Sequence, residues 1–430
     1  MANELNQSKG TGIVLTGQQG KGLIFYLVVL YLFFDLVRPS FVWHFPKMIA
    51  VILFIAWIMK SGKVICTQIV CFVVFVAILA IDIVIADNTY DAVWTTYGML
   101  MLLIGICIPL INFTDTLLKL RHVVNALLGI YLYIAMYAIF NGGYGPAMAA
   151  GGQDENYVAA SMNFAVPIAW FSFLAEDTKW KKICFLSLVF LYILANIAGQ
   201  SRGGLVGLVC ALGFSLMKSP KKGLAISFVV AIGGFLAIVA GPSYWERMST
   251  IKDTSEGTAD LRLQFWHIAF REFLSYPLTG VGGGNFKWRM AEFQSPEELE
   301  QYGRILVAEV HSTYFQLLAD MGLAGCIVLG LILFLTYRDY RHVESMSDRA
   351  LGRTLEPGGC ASKEEFKWIQ NYGKGLMAGL VGYLASAAFL STLYYSYIWL
   401  AVSLIATLHI IATRRIGEDG RSIVLAGVER

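Results

Sequence analysis

Long apolar runs alternate with short polar connections along almost the whole chain. The runs fall at 22–37, 47–59, 64–86, 92–111, 121–141, 157–175, 181–199, 203–217, 223–241, 311–337, 371–391 and 394–413. Most hold roughly 17–25 residues, enough to cross a ~30 Å hydrocarbon core as a helix. The second and eighth are short for a full crossing. Lipid offers no partner to a backbone N–H or C=O, so each crossing segment must be helical. Two polar stretches break the rhythm: 242–310, which is long, and 339–355. The pattern predicts an all-α polytopic membrane protein with about twelve transmembrane helices and one large loop. Within that loop, Leu261, Phe265, Ile268 and Ala269 recur at helical spacing, which predicts an amphipathic helix over 259–274 lying on the membrane.

Composition agrees and adds direction. Of 430 residues, 57% are hydrophobic and 15% charged, against about 25% charged in soluble domains. The net charge of +3 says little about partners, because the charges segregate by side. With the N-terminus in the cytoplasm, 23 of the 33 Lys and Arg fall on the inner side, and the short outer loops 87–91, 142–156 and 392–393 carry none. The expected organisation is a cytoplasmic tail (1–21), a bundle of about nine helices (22–241), a large periplasmic loop (242–310), further transmembrane helices (311–413) with a cytoplasmic loop at 338–370, and a cytoplasmic tail (414–430). This sets both termini in the cytoplasm and the long loop on the outer side, in the periplasm or at the outer surface of the plasma membrane. No cleavable signal peptide stands out, since the first 21 residues are polar. The seven cysteines avoid the outer loops, so no disulfide framework is expected.

Chemistry-bearing residues concentrate on the outer side. His311 stands where the long loop re-enters the bilayer, in "HSTYFQLLAD". The helix dipole disfavours imidazolium there, and a neutral ring accepts a proton; the plainer reading is an interfacial helix cap. Glu309 is placed to orient that ring. Gln316 and Asp320, one turn apart, share a face. Arg202, in "SRGGLVGL", lies near membrane depth, where a charge is costly and points to function, unless it snorkels to the headgroups. Arg247, Arg262, Arg271 and Arg289 bring guanidinium groups above the bilayer, fit for phosphate oxygens or for lipid headgroups. Asp154 and Asn156 open a helix after a glycine-rich loop, as caps or as partners of sugar hydroxyls. Asp35 and Arg38 read as an ion pair holding a turn. "GVGGGN" at 280–285 is a flexible turn, since no strand–helix unit frames it as a nucleotide loop. No metal-ligand spacing is present, and no nucleic-acid partner is expected.

The stretches "DENYVAASMNFAVPIAW", "SRGGLVGL", "LRLQFWHIAFREFLSYPLTGVGGGNF" and "HSTYFQLLADMGLAG", in that order, resemble the O-antigen ligase/Wzy-type polymerase superfamily. "RPS" at 38–40 and "FLSTLYYSYIWL" at 389–400 resemble the branch of O-glycosylation ligases associated with exosortase systems. The resemblance implies a GT-C-like enzyme of the bacterial inner membrane. It implies transfer of a glycan from undecaprenyl pyrophosphate to a hydroxyl at the periplasmic face, without metal or other cofactor. Arg202, Arg262 and His311 match the motif positions that carry catalysis. Asp320 stands where many relatives have glutamate. Arg271, Arg289, Asp154, Asn156, Gln316 and Asp320 are expected around the substrate.

The implied mechanism gives the pyrophosphate to the two arginines and the acceptor proton to His311, with inversion at the anomeric carbon. The acceptor stays open: a growing surface polysaccharide, a lipid A core, or a protein hydroxyl. A transporter of lipid-linked glycan is the alternative of another class. Internal repeats and matching broken helices would mark it, and the sequence displays neither.

Overall fold

The computed structural model describes residues 22–39, 44–146, 154–249, 257–353 and 363–428. The expected N-terminal tail, Ser40 of the RPS stretch, 147–153 of the glycine-rich loop, 250–256 and Cys360 lie outside the described residues. All regular structure among the described residues is helical.

The first half begins with three short apolar helices, α1 (Leu23–Val37), α2 (Phe45–Met59) and α3 (Thr67–Asp82). Next, α4 (Thr89–Leu102) passes through a π turn, Leu103–Cys107, into α5 (Ile108–Phe113). Pro109 has no N–H for the carbonyl one turn back, which favours that irregular turn. There follow α6 (Leu117–Phe140), α7 (Glu155–Ala175), α8 (Lys179–Ala198), α9 (Arg202–Lys218) and α10 (Lys222–Val239). The long polar segment holds α11 (Pro242–Ser249), α12 (Gly257–Ser275), α13 (Phe286–Phe293) and α14 (Pro296–Tyr302). The chain ends with α15 (Thr313–Arg353), α16 (Lys363–Ala387) and α17 (Ser396–Val428). Each of the twelve apolar runs coincides with helix. Seven helical stretches among the described residues are long and apolar enough to cross a membrane. α9 has 17 residues, and α16 carries Lys363, Glu364, Glu365, Lys367 and Lys374, so neither ranks with those seven.

The helix ends meet in two sets. At the end that bears His311, Asn88 meets Asn285, Ser201 meets Asn156, and Ser391 meets His311. At the opposite, lysine-rich end, Val64 meets Asn112, Lys218 meets Glu344, and Lys367 meets Asp177. Successive long helices therefore alternate in direction.

α7 is the hub, packed against α16, α8 and α9. Gly379 lets α16 press onto it: an added Cβ there would lie 2.5 Å from the Phe164 carbonyl oxygen. Beside this crossing, buried Asn163 donates to the Gly204 carbonyl (2.7 Å) and to Ser386 Oγ (2.9 Å), and accepts from Asn196 (2.8 Å). One satisfied amide thus fixes the start of α9 relative to α7, α8 and α16.

Three expectations change. Within the expected loop 338–370, α15 continues through Arg353 and α16 begins at Lys363. Asp339 takes a hydrogen bond from Gln68 (2.5 Å) and pairs with Arg338, while His342 and His409 bond at 2.8 Å, so partners on α3 and α17 support the polar helix. The apolar face of α12 is not a membrane-lying face. Phe265, Ile268 and Ala269 are buried with Phe286, Met290, Leu306 and Val310 in a separate small core. Asp35 and Arg38 hold the turn through the backbone instead of a direct ion pair: Arg38 Nε donates to the Asp35 backbone carbonyl (3.0 Å), and the Asp35 carboxylate accepts from Ser396.

Candidate active site

The site forms at the helix ends around α12. Gln200 has a left-handed φ of 46°, which folds α8 back into α9. Ser201 then caps α9, its Oγ accepting from Gly204 N (2.9 Å) while its hydroxyl donates to Asn156 Oδ1 (2.7 Å). Arg202 is therefore set at the first turn of α9 by a hydrogen bond from α7. Asp154 caps α7, accepting from the backbone N–H of Asn156 and Tyr157 at 3.0 Å each. Asp154 is thus the capping group of α7, and Asn156 holds the Ser201 cap next to the arginine.

His311 also adopts a left-handed backbone, with φ 51°. For a residue with a Cβ this conformation costs about 1–3 kcal/mol and persists only where surroundings enforce it. Its N–H donates to Ser391 Oγ at 2.9 Å. Next to it, Thr313 Oγ1 donates to the Leu390 carbonyl (2.7 Å) and accepts from Thr392 N (3.0 Å). α12 closes the other side. Phe265 sets its ring 6.2 Å from the imidazole, and Trp266 donates to the Val310 carbonyl (3.1 Å) and stacks on Phe315. Arg262 is one turn before Phe265 and so shares its face of α12.

Electrostatics joins the three residues singled out in the sequence. Burial, then the positive charge of Arg202, lowers the pKa of Arg262; Asp154 and Glu155 oppose this shift. Burial, then the charge of Arg262, lowers His311 below its usual 6.5, with Glu309 opposing. Two guanidinium groups from α9 and α12 thus repel each other, and the second disfavours the charged form of the imidazole at the mouth of α15. The cluster suits an anion, and its histidine is neutral near pH 7. Arg247 adds a further positive charge and lies 3.7 Å from Glu155. Glu309 is exposed and pairs with Lys287 at 3.5 Å.

The other expected residues occupy supporting positions. Arg271 Nη2 lies 2.8 and 2.6 Å from the Glu298 oxygens. Arg289 pairs with Asp87 (2.5 Å) and covers the Tyr276 ring. Gln316 accepts from Leu393 N (3.3 Å). Buried Asp320 accepts from Gly284 N (3.1 Å), Phe286 N (3.1 Å) and the Tyr394 hydroxyl (2.9 Å). It therefore ties the glycine turn and the 388–395 loop to α15. That turn is wedged into a break in α15. Gly322 leaves helical geometry at φ 56°, ψ −152°, and Leu323 N and Ala324 N bond to the Pro277 and Leu278 carbonyls (2.8 and 3.1 Å). An added Cβ on Gly322 would lie 2.7 Å from Gly280 N, so the crossing admits no side chain.

Residues that the sequence did not single out complete the surroundings. Ser391 supports His311. Tyr157 donates to the Ser391 carbonyl (3.3 Å) and stacks on Tyr395, over whose ring lies Arg38. Glu272 is fully buried with neither carboxylate oxygen hydrogen-bonded, and burial, then the charge of Asp320, pushes its pKa up to about 9. A neutral acid under the outer helices carries no sequence signature, since surface glutamates on helices look the same.

Residues 187–330, about a third of the chain, match the family model described as O-Antigen ligase. The matched stretch runs from α8 into α15 and includes Arg202, Arg262 and His311. No curated protein matches the chain.

Proposed function

Taking the chain as an O-antigen ligase/polymerase-type membrane glycosyltransferase, we propose that it transfers a glycan from undecaprenyl pyrophosphate to a hydroxyl acceptor at the His311 face, which we assign to the periplasm. The observation that carries this reading is the convergence of three separate elements, with Arg262 within electrostatic reach of Arg202 on one side and of His311 on the other. The bound pyrophosphate brings negative charge to the place where two guanidinium groups converge. As the glycosidic C–O bond to phosphate breaks, the leaving pyrophosphate takes the electron pair, and the two guanidinium groups stabilise it. The acceptor oxygen attacks the anomeric carbon from the opposite side, and a neutral ring nitrogen of His311 takes its proton. One displacement inverts the anomeric configuration. Neither a metal nor a nucleotide has a role in these steps.

The testing experiment gives purified protein undecaprenyl-pyrophosphate glycan, alone and with a core lipid or a protein acceptor, and resolves products by repeat number. A ladder from donor alone assigns a polymerase. Product that appears only with an added acceptor assigns a ligase for that acceptor, including protein O-glycosylation. No product under any of these conditions contradicts the proposal and favours a carrier of lipid-linked glycan.

A further inference from the structure

The loop 388–395 between α16 and α17 holds the candidate base from behind. His311 is one of three non-glycine residues among the described ones with a left-handed backbone, the others being Arg38 and Gln200. A histidine next to a helix start would ordinarily relax to an extended conformation. Here its N–H meets Ser391 Oγ at 2.9 Å, which anchors the peptide before the turn, while the Thr313 bonds anchor the chain after it. Ser391 is itself buried and held, its carbonyl accepting from the hydroxyl of Tyr157 on α7 (3.3 Å). The neighbouring Thr313–Leu390 and Thr313–Thr392 bonds fix the loop against the next residues of α15 independently of Ser391.

We infer that Ser391 is a positioning residue for glycan transfer: its hydroxyl helps to hold the His311 backbone in the left-handed conformation that sets the imidazole beside Phe265 of α12, one turn from Arg262. This rests on the proposed function, in which His311 accepts the proton. Ser391 touches no reacting atom. Because the Thr313 bonds remain, loss of the hydroxyl releases the ring direction without releasing the loop. A base displaced by about 1 Å costs on the order of a hundredfold in rate.

The test compares the full chain with Ser391→Ala, Ser391→Thr, His311→Ala and the double variant, measuring kcat, donor KM and thermal midpoint. Ser391→Ala is expected to lower kcat about ten- to a hundredfold, with donor KM and thermal midpoint close to those of the unmodified protein. Ser391→Thr, which keeps a hydroxyl, restores most of the loss. In the His311→Ala background Ser391→Ala has no further effect, since the serine acts only through the histidine. Equal losses in both backgrounds would mean a merely structural serine and overturn the inference. Full turnover in Ser391→Ala beside an inactive His311→Ala also overturns it, while leaving the base in place. A fully active His311→Ala removes the base and the inference together.

Discussion

Arg262→Ala lowers glycan transfer by about a hundredfold or more, the range seen when one preorganised group facing developing charge is removed. Its guanidinium on α12 is partly buried among the like charges of Arg202 and Arg247 and the opposite charges of Asp154 and Glu155, which offset one another in the resting fold. Removing it relieves repulsion with Arg202 and forfeits attraction to Asp154 and Glu155, so the thermal midpoint stays close to that of the unmodified protein. Arg262→Lys recovers only part of the rate, because an ammonium cannot engage two phosphate oxygens through a planar fork. Arg271→Ala provides the contrast. That guanidinium is bound to Glu298, so its loss lowers stability and spares most of the turnover of protein that remains folded. Equal activity of Arg262→Ala and unmodified protein, measured as initial rates at saturating donor, would remove Arg262 from the site.

His311→Ala lowers turnover about 10²–10⁴-fold, the contribution of a positioned general base, and the pH profile identifies the cause. Burial and Arg262 hold the His311 pKa below 6.5. The working form is the neutral ring, so kcat/KM falls as pH drops through that pKa. The acid limb therefore has its midpoint below 6.5, and activity is level near pH 7. In His311→Ala the limb disappears. In Arg262→Ala the like charge is gone, and the limb of the residual activity moves to higher pH. A limb unchanged in His311→Ala would assign the titrating base elsewhere.

Much of this arrangement was legible in the sequence, for identifiable reasons. Apolar runs must be helical in lipid, so all twelve runs coincided with helices. Arg202 and His311 stood out because a charged or titratable group at a membrane boundary is costly without a use. Asp320 and Gln316 looked alike in sequence to a substrate-facing pair, yet they bond the glycine turn and the 388–395 loop. Polar residues on one helical face do not reveal whether backbone or substrate lies opposite. The break at Gly322 was hidden because its missing bonds are supplied by Pro277 and Leu278, over forty residues earlier. The inward face of α12 was misread as a membrane face for a similar reason. Amphipathic spacing tells which side is apolar, while Phe286, Met290 and Leu306, later in the chain, decide what covers it.

In the proposed mechanism Arg202 and Arg262 form one pyrophosphate site. The most direct measurement is the affinity of the purified protein for glycan-free undecaprenyl pyrophosphate in detergent, beside the Arg202→Ala/Arg262→Ala double variant and undecaprenol as a chargeless control. The account predicts that the double variant binds the pyrophosphate at least about tenfold more weakly, since each charge-assisted bond contributes about 1.5–3 kcal/mol, and that undecaprenol binds both proteins alike. Equal pyrophosphate affinity in the two proteins would contradict it.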